Sequence, residues 1–282
     1  MDTQHRLVRR ATCRPLVAVV AALGVIAATF GPAASVADAS APPACRIADV
    51  TTKLHNRADW SRTVLDTTFR LPKAYRPVGM ARVRSAGLSG SGSIRRVAVA
   101  DLKAMVHASR VAGLRLAVRS AYRSYQTQVW TFAKWVHSGG IGTALDTSAR
   151  PGHSEHQLGT AIDFIRAGGT PPWLVRDWAR TREGAWLSRN AWRYGWVMSY
   201  PKGRKAATCY AYEPWHYRYV GRDIARQVHD SGRTLRQILW TLQTEPPAPS
   251  PSPSPSDTPN PTPTPTDEPT PSPSPTEDAP AA

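Results

Sequence analysis

Between Arg150 and Asp163 the chain reads RPGHSEHQLGTAID, which sets His156 and Asp163 seven positions apart with Gly159 between them. Ala161, Ile162 and Phe164 surround the aspartate with apolar neighbours. An ionised carboxylate in so dry a setting is costly unless something cationic answers it. An arginine, a set of backbone amides or a metal ion would each serve. A neutral imidazole and a carboxylate are two of the three protein ligands that a catalytic zinc takes, its fourth position being kept open for water. On that reading a third ligand stands elsewhere in the chain.

The stretch YEPWHYRYVG, residues 212–221, supplies one. Glu213 and His216 are three apart, a spacing that puts side chains on opposite faces of a regular strand. Pro214 lies between them, and proline is confined to strand edges and breaks. A local break there turns both side chains toward one cavity. His216 would then complete a His-Asp-His ligand set, and Glu213 would stand where it can accept a proton from water acidified by zinc. Read alone, the stretch also suits a surface strand in which Glu213 pairs with an arginine.

The elements that must position these residues follow from periodicity. Residues 46–96, termed the strap as a whole, read as a mostly irregular entry in which LDTTFRLPKAYRP (65–77) is the tethering part and GLSGSGS (87–93) a flexible loop. From Val97 an apolar stripe of Val99, Leu102, Met105, Val106 and Val111 predicts a helix, with Gly113 as its C-cap. LRLAV (114–118) predicts a strand, and Tyr125–Val136 a second helix stopped by Ser138-Gly139-Gly140. Leu158–Phe164, WVMSY (196–200) and 210–220 read as strands, with one or two helices over Trp173–Trp192 and two more at 223–228 and 235–242. This order predicts an α+β domain: a small antiparallel sheet with helices packed on one side.

The ends differ from this core. Residues 1–14 carry four arginines, Leu16–Phe30 is apolar, and Ala37-Asp38-Ala39 fits an A-x-A cleavage site, so residues 1–39 are expected to be a secretory signal peptide. The apolar run is shorter than the ~20 residues a membrane span needs, which disfavours a retained anchor. Residues 245–282 form a Pro/Ser/Thr-rich stretch with six acids and no basic or aromatic residue, expected to be a disordered tail. Removing the leader's net +2 and the tail's −6 from the chain's +16 leaves +20 on residues 40–244. Such a domain concentrates near polyanions. Anionic cell-wall polymer is the expected one, rather than nucleic acid. The domain is expected to be a monomer with no stable membrane span once the leader is cleaved.

Cys13 leaves with the leader, and Cys45 and Cys209 remain. An even pair in an oxidising compartment suggests one disulfide, worth on the order of 5 kcal/mol in the chain-entropy model for so long a loop. Cys209 as a zinc ligand is the competing idea, weakened by the ease with which an extracellular thiolate oxidises.

Three spaced segments together resemble a known family. Ser154–Asp163, preceded by ARPG (149–152), Ser120–Gln128 and Glu213–Gly221 resemble zinc D-alanyl-D-alanine carboxypeptidases of the VanY type, over roughly 49–231. The resemblance implies a Hedgehog/DD-peptidase-like fold, zinc on His156, Asp163 and His216, and Glu213 as catalytic base. It implies Arg123 as the group that meets the oxyanion or the substrate carboxylate, with Ser154 and Gln128 hydrogen-bonding the peptide. Arg119 is the alternative arginine, and His153 is a neighbouring histidine that the family pattern does not use. Two positions depart from that pattern: Cys209 stands where relatives commonly carry glycine, and Lys205 where an acid is often seen. The implied activity is removal of terminal D-alanine from peptidoglycan stem peptides by a secreted, wall-associated enzyme. Alternatives are an endopeptidase or L,D-carboxypeptidase of the same fold, or a wall-binding module without catalysis.

Overall fold

The computed structural model describes residues 41–244, so the expected signal peptide (1–39, with Cys13) and the expected tail (245–282) lie outside the described residues. The strap contributes β1 (Val50–Thr51) and β2 (Phe69–Arg70), which pair in parallel, then β3 (Met80–Arg82) and β4 (Ser93–Arg95), an antiparallel pair. Then come α1 (Val99–Val111), β5 (Leu116–Ser120), α2 (Tyr125–Thr147), β6 (Ala161–Arg166), α3 (Arg182–Asn190), β7 (Trp196–Met198), α4 (Lys205–Thr208), β8 (His216–Tyr219), α5 (Arg222–Ser231) and α6 (Leu235–Thr244). The central sheet is antiparallel throughout, in the order β5-β6-β8-β7. The fold is α+β, as the pattern of elements predicts.

Side chains alternate across that sheet. Ile162 and Phe164 of β6, Tyr217 and Tyr219 of β8, and Trp196 of β7 face one side, where Leu102, Met105 and Val106 of α1 and Leu187 of α3 close the main core over them. Burial of so many large apolar and aromatic groups, each contributing about 1.5–3 kcal/mol, anchors the sheet. Val197, one residue out of phase, packs instead with Val64, Val220, Ala225 of α5 and Leu235 and Leu239 of α6. The remaining part of that second face carries the polar residues of the site.

The strap is pinned rather than loose. Cys45 and Cys209 form the expected disulfide, which removes Cys209 from the candidate zinc ligands. Asp66, wholly buried, accepts from Arg236 Nε (2.6 Å) and from the backbone amides of Thr68 and Phe69 (2.6 and 2.7 Å). Arg236 also donates to the carbonyls of Pro43 and Ala207. Cys209 has φ 69°, the one left-handed non-glycine among the described residues. That conformation is one glycine adopts without strain.

Several local expectations shift. The 87–93 loop is held against β5 by a Ser89–Ala117 bridge, and a Cβ on Gly90 would meet the Val118 side chain at 2.7 Å, so the glycine serves close approach and not flexibility. Val111 is 76% exposed and lies off the apolar stripe of α1. Ser138-Gly139-Gly140 interrupts α2 as expected: Gly140 leaves the helical region (φ 77°, ψ 171°), and a second helical stretch, which the pattern does not predict, follows to Thr147 and buries Ala144. The region 173–192 is mostly short 3-10 turns before α3, and residues 210–215 approach β8 outside any strand.

Candidate metal centre and cleft

Register puts the motif residues together. Asp163 is the direct cross-strand partner of His216, and Ser120 of Asp163, so the three form a row on the face away from the main core. A register shift between Val118 and Ser120 bends β5 at this row, the kind of irregularity that re-aims side chains at a site. His156 comes from a 3-10 turn, Glu155–Leu158, that ends in left-handed Gly159 (φ 74°) and feeds directly into β6. Glu213 precedes β8 in a turn closed by His216 N–H donating to its carbonyl (3.1 Å), while its own N–H donates to Tyr200 (3.1 Å). The break at Pro214 therefore does what the spacing required.

His156, Asp163 and His216 are all buried, and one ligand-capable atom from each lies within 4.8 Å of the others. His156 Nε2 is 3.2 Å from Asp163 Oδ2, and His216 Nδ1 is 3.0 Å from Asp163 Oδ1. The opposite nitrogens are occupied: His156 Nδ1 donates to the Ala121 carbonyl (2.7 Å), and His216 Nε2 lies 3.0 Å from Glu155 Oε2. With those nitrogens protonated, each neutral ring turns a lone pair toward the Asp163 carboxylate. Lone pairs meeting an anion repel unless a cation sits among them. The donor set therefore fits a metal ion: Zn–N and Zn–O bonds of about 2.0–2.2 Å in a tetrahedron put ligand atoms about 3.3 Å apart, close to the separations found here.

The same demand for positive charge appears in the titration of these groups. Burial opposes ionisation of Asp163, but contacts with His156 and His216 outweigh it and hold the carboxyl well below the usual range. Burial, and then the Arg123 guanidinium, push His156 down to about 4. His216 is raised to about 10, because its hydrogen bonds to Asp163 and Glu155 override burial. In the metal-free protein a proton on His216 thus supplies the positive charge among these carboxylates.

Glu213 stands at the rim, its Oε2 3.8 Å from His216 Nδ1 and its side chain 22% exposed. Burial is the main cause that pushes its carboxyl up to about 7, with Asp163 and Glu155 adding to the rise and His216 and Arg123 opposing it. Arg123 is held from several sides: Nη1 donates to Ser120 Oγ (2.9 Å), Nε to Gln128 Oε1 (3.0 Å), and Nη2 reaches Ser154 Oγ at 3.5 Å. Its Nη1 lies 3.9 Å from Asp163. Arg123, Ser154, Glu213 and the three candidate ligands line one cleft of about 510 Å³.

One assigned role needs correcting. Gln128, expected to hydrogen-bond a bound peptide, is fully buried and outside the cleft lining. Its Nε2 donates to the Ala149 carbonyl (2.7 Å) and its Oε1 accepts from Arg123, so both ends of the amide are spent inside the protein. In this structure Gln128 holds Arg123 and turns neither end of its amide to the cleft. Arg119 lies with its guanidinium over the Trp173 ring (5.2 Å) on the cleft wall, apart from the ligand row. His153 faces away: its ring bonds the Asp66 carbonyl (2.7 Å) and Asp49 (2.9 Å), fastening the strap.

Residues 91–222 match the family model of VanY, D-alanyl-D-alanine carboxypeptidase. A structure of the LdcB LD-carboxypeptidase is 34% identical, with a TM-score of 0.56 over 62% of this chain and 83% of that one. The chain belongs to the VanY family. The D,D-pentapeptidase VanY from a VanB-type resistance cassette, solved in complex with Zn(II), is 28% identical, with a TM-score of 0.54 over 64% of this chain and 99% of that one. VanYB in complex with D-alanine-D-alanine gives the same identity and TM-score over 66% and 99%. A D-alanyl-D-alanine carboxypeptidase of Enterococcus faecalis is 33% identical over 151 residues, 50% of this chain and 53% of that protein. The chain spans about half the length of the curated relatives it matches.

Proposed function

We propose that this VanY-family chain is an exported, zinc-dependent carboxypeptidase that removes the terminal D-alanine from peptidoglycan stem peptides. The observation that carries the reading is the convergence of His156, Asp163 and His216 on one point, with Glu213 and Arg123 beside it in the same cleft. A zinc ion held by those three side chains would supply Lewis acidity and a water acidified to near neutral pH. Glu213, with its carboxyl near neutrality, takes a proton from the attacking water and returns it to the departing amine of D-alanine, a task best done by a group poised near the working pH. Arg123, locked by Ser120 and Gln128, offers a permanently charged planar fork to the substrate's terminal carboxylate or to the oxyanion that develops at the scissile carbonyl. Ser154 stands at the cleft wall within reach of the same substrate end.

Export and wall association rest on the leader-like residues 1–39 and on a disulfide of the kind that persists in oxidising compartments. The net +20 of residues 40–244 favours residence near anionic wall polymer, and no helix among the described residues is long and apolar enough to cross a membrane. A second reading, L,D-carboxypeptidase activity on a tetrapeptide stem, is favoured by the LdcB similarity at 34% against 28% for the VanY structures. The test is to incubate the protein with pentapeptide and tetrapeptide stems, with and without a chelator, and weigh the products. Release of D-alanine from the pentapeptide, abolished by chelation and restored by zinc, is the expected result. Cleavage of the tetrapeptide alone would favour the second reading, and release from neither would leave a wall-binding module.

A further inference from the structure

Glu155 lies between two residues of the motif and has no role in the reading above, yet it is only 4% exposed. Its carboxylate has three side-chain partners. Oε1 accepts from Arg218 Nη1 (2.9 Å), and Oε2 accepts from Ser199 Oγ (2.6 Å) and faces His216 Nε2 (3.0 Å). Arg218, wholly buried, donates its other arm to the carbonyls of Trp60 and Thr63 (2.8 and 2.9 Å), so it cannot swing away. Burying a carboxylate and a guanidinium together is expensive, and an apolar pair of equal volume would serve the core as well or better. What an apolar pair would not provide is an acceptor for His216 Nε2.

We propose that Glu155 is a positioning residue: it fixes the tautomer and orientation of the His216 ring so that the Nδ1 lone pair is delivered to the metal centre, with Arg218 fixing Glu155 in turn. The inference rests on the metal-binding reading of His156, Asp163 and His216. A carboxylate can only accept, and Asp163 faces Nδ1 as Glu155 faces Nε2, so once a cation takes the Nδ1 lone pair the proton of the neutral ring lies on Nε2, toward Glu155. Partners of this kind around metal-binding histidines are worth about 10- to 100-fold in metal affinity.

Glu155→Gln makes the case testable, because an amide has one acceptor oxygen where the carboxylate has two. Arg218 cannot donate to an NH2 group and takes that oxygen, which leaves the amide N–H groups facing His216. The ring must then present a bare Nε2 and carry its proton on Nδ1, where a metal would bind. Two measurements on the full chain read this out: long-range 1H–15N correlation of the histidine rings in metal-free protein at a pH where His216 is neutral or zinc-loaded, and zinc Kd by competition with a chromophoric chelator. Glu155→Gln should shift the His216 proton from Nε2 toward Nδ1 and weaken zinc binding by about 10- to 100-fold. Glu155→Asp, which keeps the charge opposite Arg218 but withdraws it from His216, should fold and lose affinity to a similar degree. It decides the matter if the glutamine variant does not fold.

A zinc Kd within about threefold of wild type in the folded variants, or an unchanged His216 tautomer in Glu155→Gln, would overturn the proposal. If wild-type protein binds no zinc, the metal reading fails by itself, and the position of the His216 proton in wild type and Glu155→Gln still judges Glu155.

Discussion

Replacing Glu213 by glutamine removes a proton acceptor and little else. The side chain makes no hydrogen bond within the described protein, and the turn it sits in is held through its backbone, by Tyr200 on one side and His216 on the other. Glutamine keeps that turn and the shape of the cleft, so the three candidate ligands stay in place and zinc content should remain at one per chain. Turnover should fall by about 10²–10⁴, or roughly 3–5 kcal/mol of barrier, with KM nearly unchanged. Stability of the metal-free protein should move the other way. A carboxyl whose pKa rises from 4.5 unfolded to about 7 folded binds more protons in the native state, so its contribution to stability falls as pH rises from 4.5 to 7 and stays low above that. The difference of 2.5 units corresponds to at most about 3.4 kcal/mol. The variant should therefore melt higher than wild type at pH 8, and the gap should close by about pH 4.5. Metal analysis, steady-state kinetics on the pentapeptide and thermal melts at three pH values read the three quantities. Loss of zinc would show that Glu213 is a ligand, and an undiminished rate would refute its role as base.

Single alanine substitutions at His156, Asp163 or His216 should lose zinc and activity together, which equilibrium dialysis and the same kinetic assay compare directly. Arg123→Lys should keep its metal but lose rate and raise KM, since an ammonium cannot reproduce the fork held by Ser120 and Gln128. Asp66→Asn leaves the guanidinium of Arg236 buried without its counter-ion and should cost about 3–5 kcal/mol by denaturant titration, with zinc affinity preserved in the fraction that folds. Reducing the Cys45–Cys209 bridge, or replacing Cys45 by serine, should cost about 2–5 kcal/mol. Pairing the latter with Cys209→Gly should recover about 1 kcal/mol, because position 209 is left-handed.

The convergence of His156, Asp163, His216 and Glu213 is legible in the sequence because each lies in a short segment whose neighbours expose the problem to be solved: a carboxylate among apolar residues, and a proline breaking a strand between an acid and a histidine. What the sequence conceals depends on partners far along the chain. The family resemblance implies that Gln128 meets the peptide, and only the approach of Ala149 from one side and Arg123 from the other shows its amide to be used inside the protein. Gly140 reads as a helix stop and does break the helix, but the second helical stretch beyond it, with Ala144 buried, is not apparent from the sequence. Glu155 draws no reading from the sequence, because its burial depends on Arg218, 63 residues away.

The buried ion pairs also explain why so irregular a strap belongs to the same folded unit as the candidate site. Arg218 spans from Glu155 behind the metal centre to the carbonyls of Trp60 and Thr63, while Arg236 spans from Asp66 to the carbonyls of Pro43 and Ala207. His153, next to the motif serine, bonds Asp49 and Asp66 of the same strap. Each cation or imidazole satisfies a strap group that would otherwise be buried without a partner, and each is itself satisfied only because the strap is there. Backbone that has only two short strand pairs of its own is thus folded against polar side chains supplied by the site region and α6. The tie runs in both directions: loosening the strap withdraws the carbonyls that hold Arg218, and through Glu155 it reaches the ring of His216.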